Sequence, residues 1–240
     1  MLGRRNLLRS SSPLGRLVQR QVPLESSEEI QRGRAASTAL AHPFQAPRAP
    51  DPDRMGESGY DDHLQSVLNR RKEAYYAKGV DYFSDGKLSQ ARRCFEICKT
   101  LDRDNARYFA ADAVVAFTHR DANRAVLDLY TAIRRADALD ELRIPIVNNR
   151  LTGERGFYGD DRGAFERAVD DVNIWANASH GTSGHAKVLL AYFAWLKGEL
   201  RTAVTATREA ERELPEDFLP AVTKFRNFLL AQRAVPATGA

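Results

Sequence analysis

Two cysteines in 240 residues, Cys94 and Cys98, cannot supply a disulfide framework. No stretch approaches the ~20 uninterrupted apolar residues that a membrane-spanning helix needs. The chain also lacks a Gly-rich phosphate loop, a Ser nucleophile elbow and zinc-ligand spacing, which removes the commonest signatures of nucleotide, acyl-transfer and structural-zinc chemistry. Charge of one sign is scarce as well. The net charge of +4 divides unevenly: residues 1–60 hold nine Arg against six acids, leaving 27 basic and 26 acidic residues for 61–240. A body this close to neutrality has no general electrostatic attraction for phosphate, so nucleic acid is not among the expected partners.

Six of the ten prolines lie in the first 52 residues. With few aromatic residues and repeated helix breakers, residues 1–58 are expected to form a disordered basic Pro/Ser/Arg-rich tail, because they cannot bury enough apolar surface to offset the entropy of ordering. The opening 24 residues contain Arg4, Arg5, Arg9, Arg16 and Arg20 with no acid before Glu25. Three readings stay open for them: an organelle transit peptide, a twin-arginine signal at Arg4-Arg5, or a solvated basic tail. No continuous apolar segment follows the arginine pair, and Pro13 interrupts the amphipathic pattern. The expected location is cytoplasmic.

From Tyr60 onward the texture changes to helical periodicity. Leu64, Val67, Leu68, Tyr75, Gly79, Tyr82 and Phe83 recur at three and four and place an apolar stripe on one helix. Asp61 or Asp62 is the expected cap, Gly86 the stop, and Leu88, Ala91, Phe95 and Cys98 begin a second stripe. Period-two alternation is absent over any useful length.

Tyr75-x2-Lys78-Gly79-x2-Tyr82, followed by Ala91-x3-Phe95 and Cys98, lies 34 residues before Phe109-x2-Asp112-Ala113-x2-Ala116, Ala125-x3-Leu129 and Ala132. The same frame returns 112 residues after the first as Leu190-Ala191-x2-Ala194, Gly198, Ala203, Ala210 and Pro215. This resembles the tetratricopeptide repeat family, whose 34-residue signature spreads an aromatic, Leu-Gly, Tyr, Ala, Phe and Pro over a helix pair. Gly79, Ala113 and Ala191 would sit where paired helices cross closely, with Ala91, Ala125 and Ala203 doing the same on the second helix. The terminal Pro survives only as Pro215, and Phe95 becomes Leu129 and Thr207 in the later units.

The expected fold is therefore all-α, a right-handed α-solenoid of antiparallel helix pairs spanning 59–235 in about eight helices. Its units are 72–105, 106–139, an eroded 140–183 and 184–217, with a capping helix over 218–233 and a disordered end at 236–240. The eroded unit is irregular through Pro145, Gly153, Gly156 and Gly159, then helical through Phe165, Val169, Val172 and Trp175.

No catalytic constellation emerges, and neither cofactor nor metal is expected. His180 and His185 flank Gly181-Thr182-Ser183-Gly184, which reads as a loop. Cys94 and Cys98 share a helix face as buried thiols or as a redox or metal pair, the buried reading being favoured by the core position of Cys98. Asp160-Asp161, Asp170-Asp171 and Asp102-Asp104 read as caps and a solvated face.

The resemblance implies a concave groove lined by the first helix of each pair: Tyr76, Val80 and Phe83; Ala110, Val114 and Phe117; Val188, Tyr192 and Trp195. Such a face is apolar and aromatic, suited to an apolar peptide or helix of another protein rather than to a carboxylate clamp, since Val80, Val114 and Tyr192 replace the polar residues a clamp requires. The expected function is a non-enzymatic protein-interaction module or scaffold, monomeric or weakly oligomeric. Two alternatives stand beside it. One is a structural or self-assembling component whose groove is filled by its own chain, the 140–183 insert and the terminal helix being the candidates to cover it. The other is an enzyme using the Arg150 to Arg162 loop with Tyr158.

Overall fold

Helix formation follows the apolar spacing closely. The computed structural model describes residues 57–149, 151–178 and 183–234, and among these it contains eight α-helices and no strand. They are α1 (Glu57–Ser84), α2 (Leu88–Leu101), α3 (Ala106–Thr118), α4 (Ala122–Arg135), α5 (Arg162–Ala178), α6 (Ser183–Lys197), α7 (Leu200–Glu213) and α8 (Leu219–Ala234), with 3-10 turns at Leu139–Leu142 and Glu216–Phe218. The chain is all-α, as its periodicity predicts. The targeting readings, the tail as far as residue 56, His180 and the end at 236–240 fall outside the described residues.

The caps follow from local chemistry. Asn105 accepts a hydrogen bond from the Arg107 amide to open α3, and Asp121 accepts one from Arg124 to open α4. Gly86, at φ +74°, closes the α1–α2 turn in a conformation that side chains disfavour. Differences concern edges. α1 begins at Glu57 rather than at the expected Asp61–Asp62 cap, so Asp61 and Asp62 lie within the helix near its start, where acids suit the positive end of the helix dipole. α6 starts at Ser183, so His185 is helical and not in a loop: its ring packs edge-on against Phe218 and Tyr130.

Consecutive helices from α2 onward pack on one another except across the long α4–α5 connection, and α4 also meets α6 and α8. Residues from Asp61 onward group as one unit. Gly79, Ala113 and Ala191 are buried, as are Ala91, Ala125 and Ala203. At Gly79 the reason is measurable, because a Cβ built there would stand 2.8 Å from the Phe95 ring.

The α4–α5 connection is irregular but ordered by its own hydrogen bonds. The Phe157 amide donates to Pro145 O at 2.9 Å and the Tyr158 amide to Ile146 O at 2.8 Å, with an isolated bridge between Asn149 and Glu154 nearby. Gly156 is where the two arms touch: a Cβ would lie 2.2 Å from the Val147 carbonyl carbon. No other residue type fits there without moving the backbone.

Gly79→Ala separates two opposed effects. Alanine gains ~1 kcal/mol of helix propensity, whereas forcing a methyl into a Phe95 ring that is fully buried and stacked on Phe157 costs ~1–3 kcal/mol. The expected net result is a lower denaturation midpoint. A midpoint at or above that of the parent chain contradicts the close crossing.

Candidate functional site

The residues expected to line a groove lie on α1, α3 and α6, and they are enclosed. Tyr76, Val80, Phe83, Ala110, Val114, Val188, Tyr192 and Trp195 are all buried, none more than 5% exposed. Phe117 alone is half-buried. Two segments make contact with members of this set.

The first is the α4–α5 connection. Phe157 lies 5.2 Å from Phe83 and stacks on Phe95 at 5.7 Å, while Tyr158 meets Phe83 edge-on at 5.2 Å and Phe165 at 5.3 Å. Further along, the Tyr192 hydroxyl donates to Leu142 O at 2.8 Å, satisfying a phenol that is otherwise enclosed by apolar groups. Burial raises the pKa of Tyr192 well above the usual phenol value, and pushes those of Tyr76 and Tyr158 up to about 12, for Tyr76 against the opposing pull of Arg107. These hydroxyls stay protonated at any ordinary pH.

The second segment is α8. Trp195 packs edge-on against Phe225 and Phe228 at 5.8 and 5.5 Å, and its Nε1 donates to Gln232 Oε1 at 3.0 Å. Gln232 in turn donates to Asp140 at 2.9 Å, and Lys224 Nζ donates to Ala136 O at 2.6 Å, so α8 is tied to the start of the connection. Phe193 bridges the middle, touching Phe117 and Phe165. The aromatic contacts therefore run without a break from α1 through Phe157 and Tyr158 to α6 and α8.

Phe157, Tyr158, Leu142 and Gln232 are the residues that the repeat frame does not supply. Their one sequence signal is the aromatic pair held between Gly156 and Gly159 in an otherwise polar loop. Tyr158 takes its place in that packing and not at a free loop surface.

The other candidate chemistry resolves into structure. Cys94 and Cys98 are free and fully buried, and burial pushes their thiols up to about 11 and about 12, far from thiolate reactivity. Asp102 pairs with Lys72 at 2.8 Å, and Asp161 caps α5 by accepting from the Ala164 amide at 2.9 Å. Among the described residues no group of His, Cys, Asp and Glu is placed to hold a metal. Two surface cavities exist outside the aromatic face. One, of about 670 Å³, is polar and bordered by Asp102, Asn105, Arg107, Asp140, Arg143 and Glu154. The other, of about 230 Å³, is apolar and lies between Val126, Leu127, Trp175, His185 and Phe218. No described helix is long and apolar enough to cross a membrane.

The chain matches no family model, no curated protein and no solved structure.

Burial reverses what truncation of the face should do. Trp195→Ala is expected to cost ~3–5 kcal/mol of stability, as much as truncation of core Phe95, with Phe117→Ala costing visibly less because its ring is half-buried. Thermal melts of the three variants side by side check the order. A Trp195→Ala chain that melts with the parent would show the face to be open.

Proposed function

We propose that this protein is a non-enzymatic scaffold built from divergent tetratricopeptide-like repeats arranged as a right-handed α-solenoid, with its inner face occupied by its own chain. In support of the repeat reading, the 34- and 112-residue registers fall on α1/α2, α3/α4 and α6/α7, and each register brings a buried small residue to both helices of its pair. In this reading the apolar guest expected in the groove is internal: residues 139–160 on one side and α8 on the other. The observation that carries it is the burial of Tyr76, Val80, Phe83, Val114, Val188, Tyr192 and Trp195, of which Phe83 and Tyr192 touch the connection and Trp195 touches α8.

A filled groove leaves the outer faces to meet partners. Leu127 is 59% exposed, Ile174 63% and Leu151 98%, and singly exposed aliphatic residues of this kind can contribute to a protein contact though they do not define one. The partner class is another protein, with a near-neutral body giving no pull towards nucleic acid, and a cytoplasmic setting belongs to the same proposal.

Hydrogen exchange tests whether the inner face is permanently filled. The Phe157 and Tyr158 amides, bonded to Pro145 and Ile146 carbonyls, should show protection approaching that of the α3 interior. Exchange at the rate of an unprotected peptide, with α3 still protected, would mean that the connection lifts away and that the groove is available to an external peptide.

A further inference from the structure

The junction of α2, α3 and α4 encloses a cluster of charges that the repeat frame does not require. Asp112, on α3 beside the small crossing residue Ala113, has no exposed surface. Its Oδ2 accepts hydrogen bonds from Lys99 Nζ of α2 at 2.5 Å and from Arg124 of α4 at 2.9 Å. Lys99 also reaches Asp128 of α4 at 3.3 Å and Glu96 at 3.5 Å, while Arg124 pairs with Glu96 and Asp128. Three carboxylates thus share two cations. The remaining charges near this junction are engaged elsewhere: Arg92 faces Asp121, Lys72 of α1 holds Asp102, Arg135 pairs with Asp104, and Asp140 and Glu141 of the 3-10 turn border the polar cavity.

The hydrogen-bond ledger shows the same shortfall. Two carboxylate oxygens in the cluster are buried without a donor, Asp112 Oδ1 and Asp128 Oδ2. Arg124 Nε lies 3.3 Å from the latter but is itself without a hydrogen-bond partner, so the approach is Coulombic and not a directed bond. An orphaned buried acceptor is costly, and an uncompensated buried charge more so. A proton on Asp112 lessens both costs, because it cancels the surplus charge and turns a group that can only accept into one that also donates.

We propose that the buried Asp112 takes up a proton in the folded chain, which makes the α2–α3–α4 junction a proton-sensitive joint linking the first helix pair to the second. Uptake neutralises the surplus charge, bringing three carboxylates and two cations to balance, and supplies the missing donor. Burial is the largest influence on Asp112 and pushes its carboxyl up to about 6, with the Asp128 carboxyl acting in the same direction and Lys99 opposing. The folded value lies above the ordinary one of 3.8, so the folded chain binds this proton more tightly than the unfolded chain does. Its stabilising effect is complete below about pH 4 and is lost as pH rises through about 6. A joint that relied on a fully ionised salt bridge would behave in the opposite way, tightening as pH rises.

The side-chain carboxyl carbons of the folded protein, followed by NMR through a pH titration, report the joint directly. The expected result is that the Asp112 carboxyl signal moves with a midpoint of about 6 rather than the ordinary 3.8. Asp112→Asn, whose amide donates permanently in place of the proton, should gain on the parent chain by about tenfold or more in folding equilibrium constant between pH about 4.5 and 7.5. If the Asp112 carboxyl titrates at an ordinary aspartate value, or if the difference between Asp112→Asn and the parent is independent of pH, the protonated Asp112 is wrong.

Discussion

Phe157 is the contact on which the arrangement depends. It arrives from an irregular connection yet stacks on Phe95 of α2 and packs beside Phe83 of α1, so one ring from the connection touches both helices of the first pair. That ring reaches its place because the connection is folded back on itself at Gly156, where the backbone of Val147 leaves no space for a side chain. Burial of a large aromatic side chain stabilises by ~1.5–3 kcal/mol through transfer from water, and aromatic neighbours at these separations add ~0.5–1.5 kcal/mol. The neighbouring Tyr158 extends the contact to Phe165 of α5, which makes the connection part of the core rather than a strap over it.

A second consequence is that a stack of helix pairs with a covered inner face must satisfy the polar groups it encloses. Several are satisfied locally. Tyr192 finds the Leu142 carbonyl, Trp195 finds Gln232, and Thr207, buried on α7, donates to the Val204 carbonyl. Others are not: the Tyr76 and Tyr158 hydroxyls and Asp112 Oδ1 are buried without a hydrogen-bond partner, and at Asp112, where the surplus charge also lies, the cost of that shortfall points to a proton.

The helices were legible in the sequence because their determinants are local or periodic. Gly79, Ala113 and Ala191 stand at equal register and are buried at equal register, and Gly86 and Asp121 act within a few residues of themselves. Helix edges were less so: α1 starts at Glu57 and α6 at Ser183, ahead of the periodic residues that mark each helix. The repeat frame also singled out Tyr76, Val80, Phe83, Val114, Val188, Tyr192 and Trp195, which are buried. What it could not supply was the cover, since Phe157 and Phe83 are brought together across more than seventy positions by a connection with no periodicity, and a frame that specifies orientation is silent about what lies opposite. The aromatic character of Phe83 and Trp195, which suggested an anchor for a partner, is equally what a buried interior between helices and an ordered connection selects.

A double-mutant cycle between Phe83 and Phe157 tests this account most directly, using Phe83→Leu, Phe157→Leu and the pair so that neither substitution leaves a large cavity. If the connection is packed on the inner face, the two substitutions are coupled by ~0.5–1.5 kcal/mol, the double variant losing less than the sum of the single ones. Strict additivity would contradict it, because residues that do not touch have nothing to share.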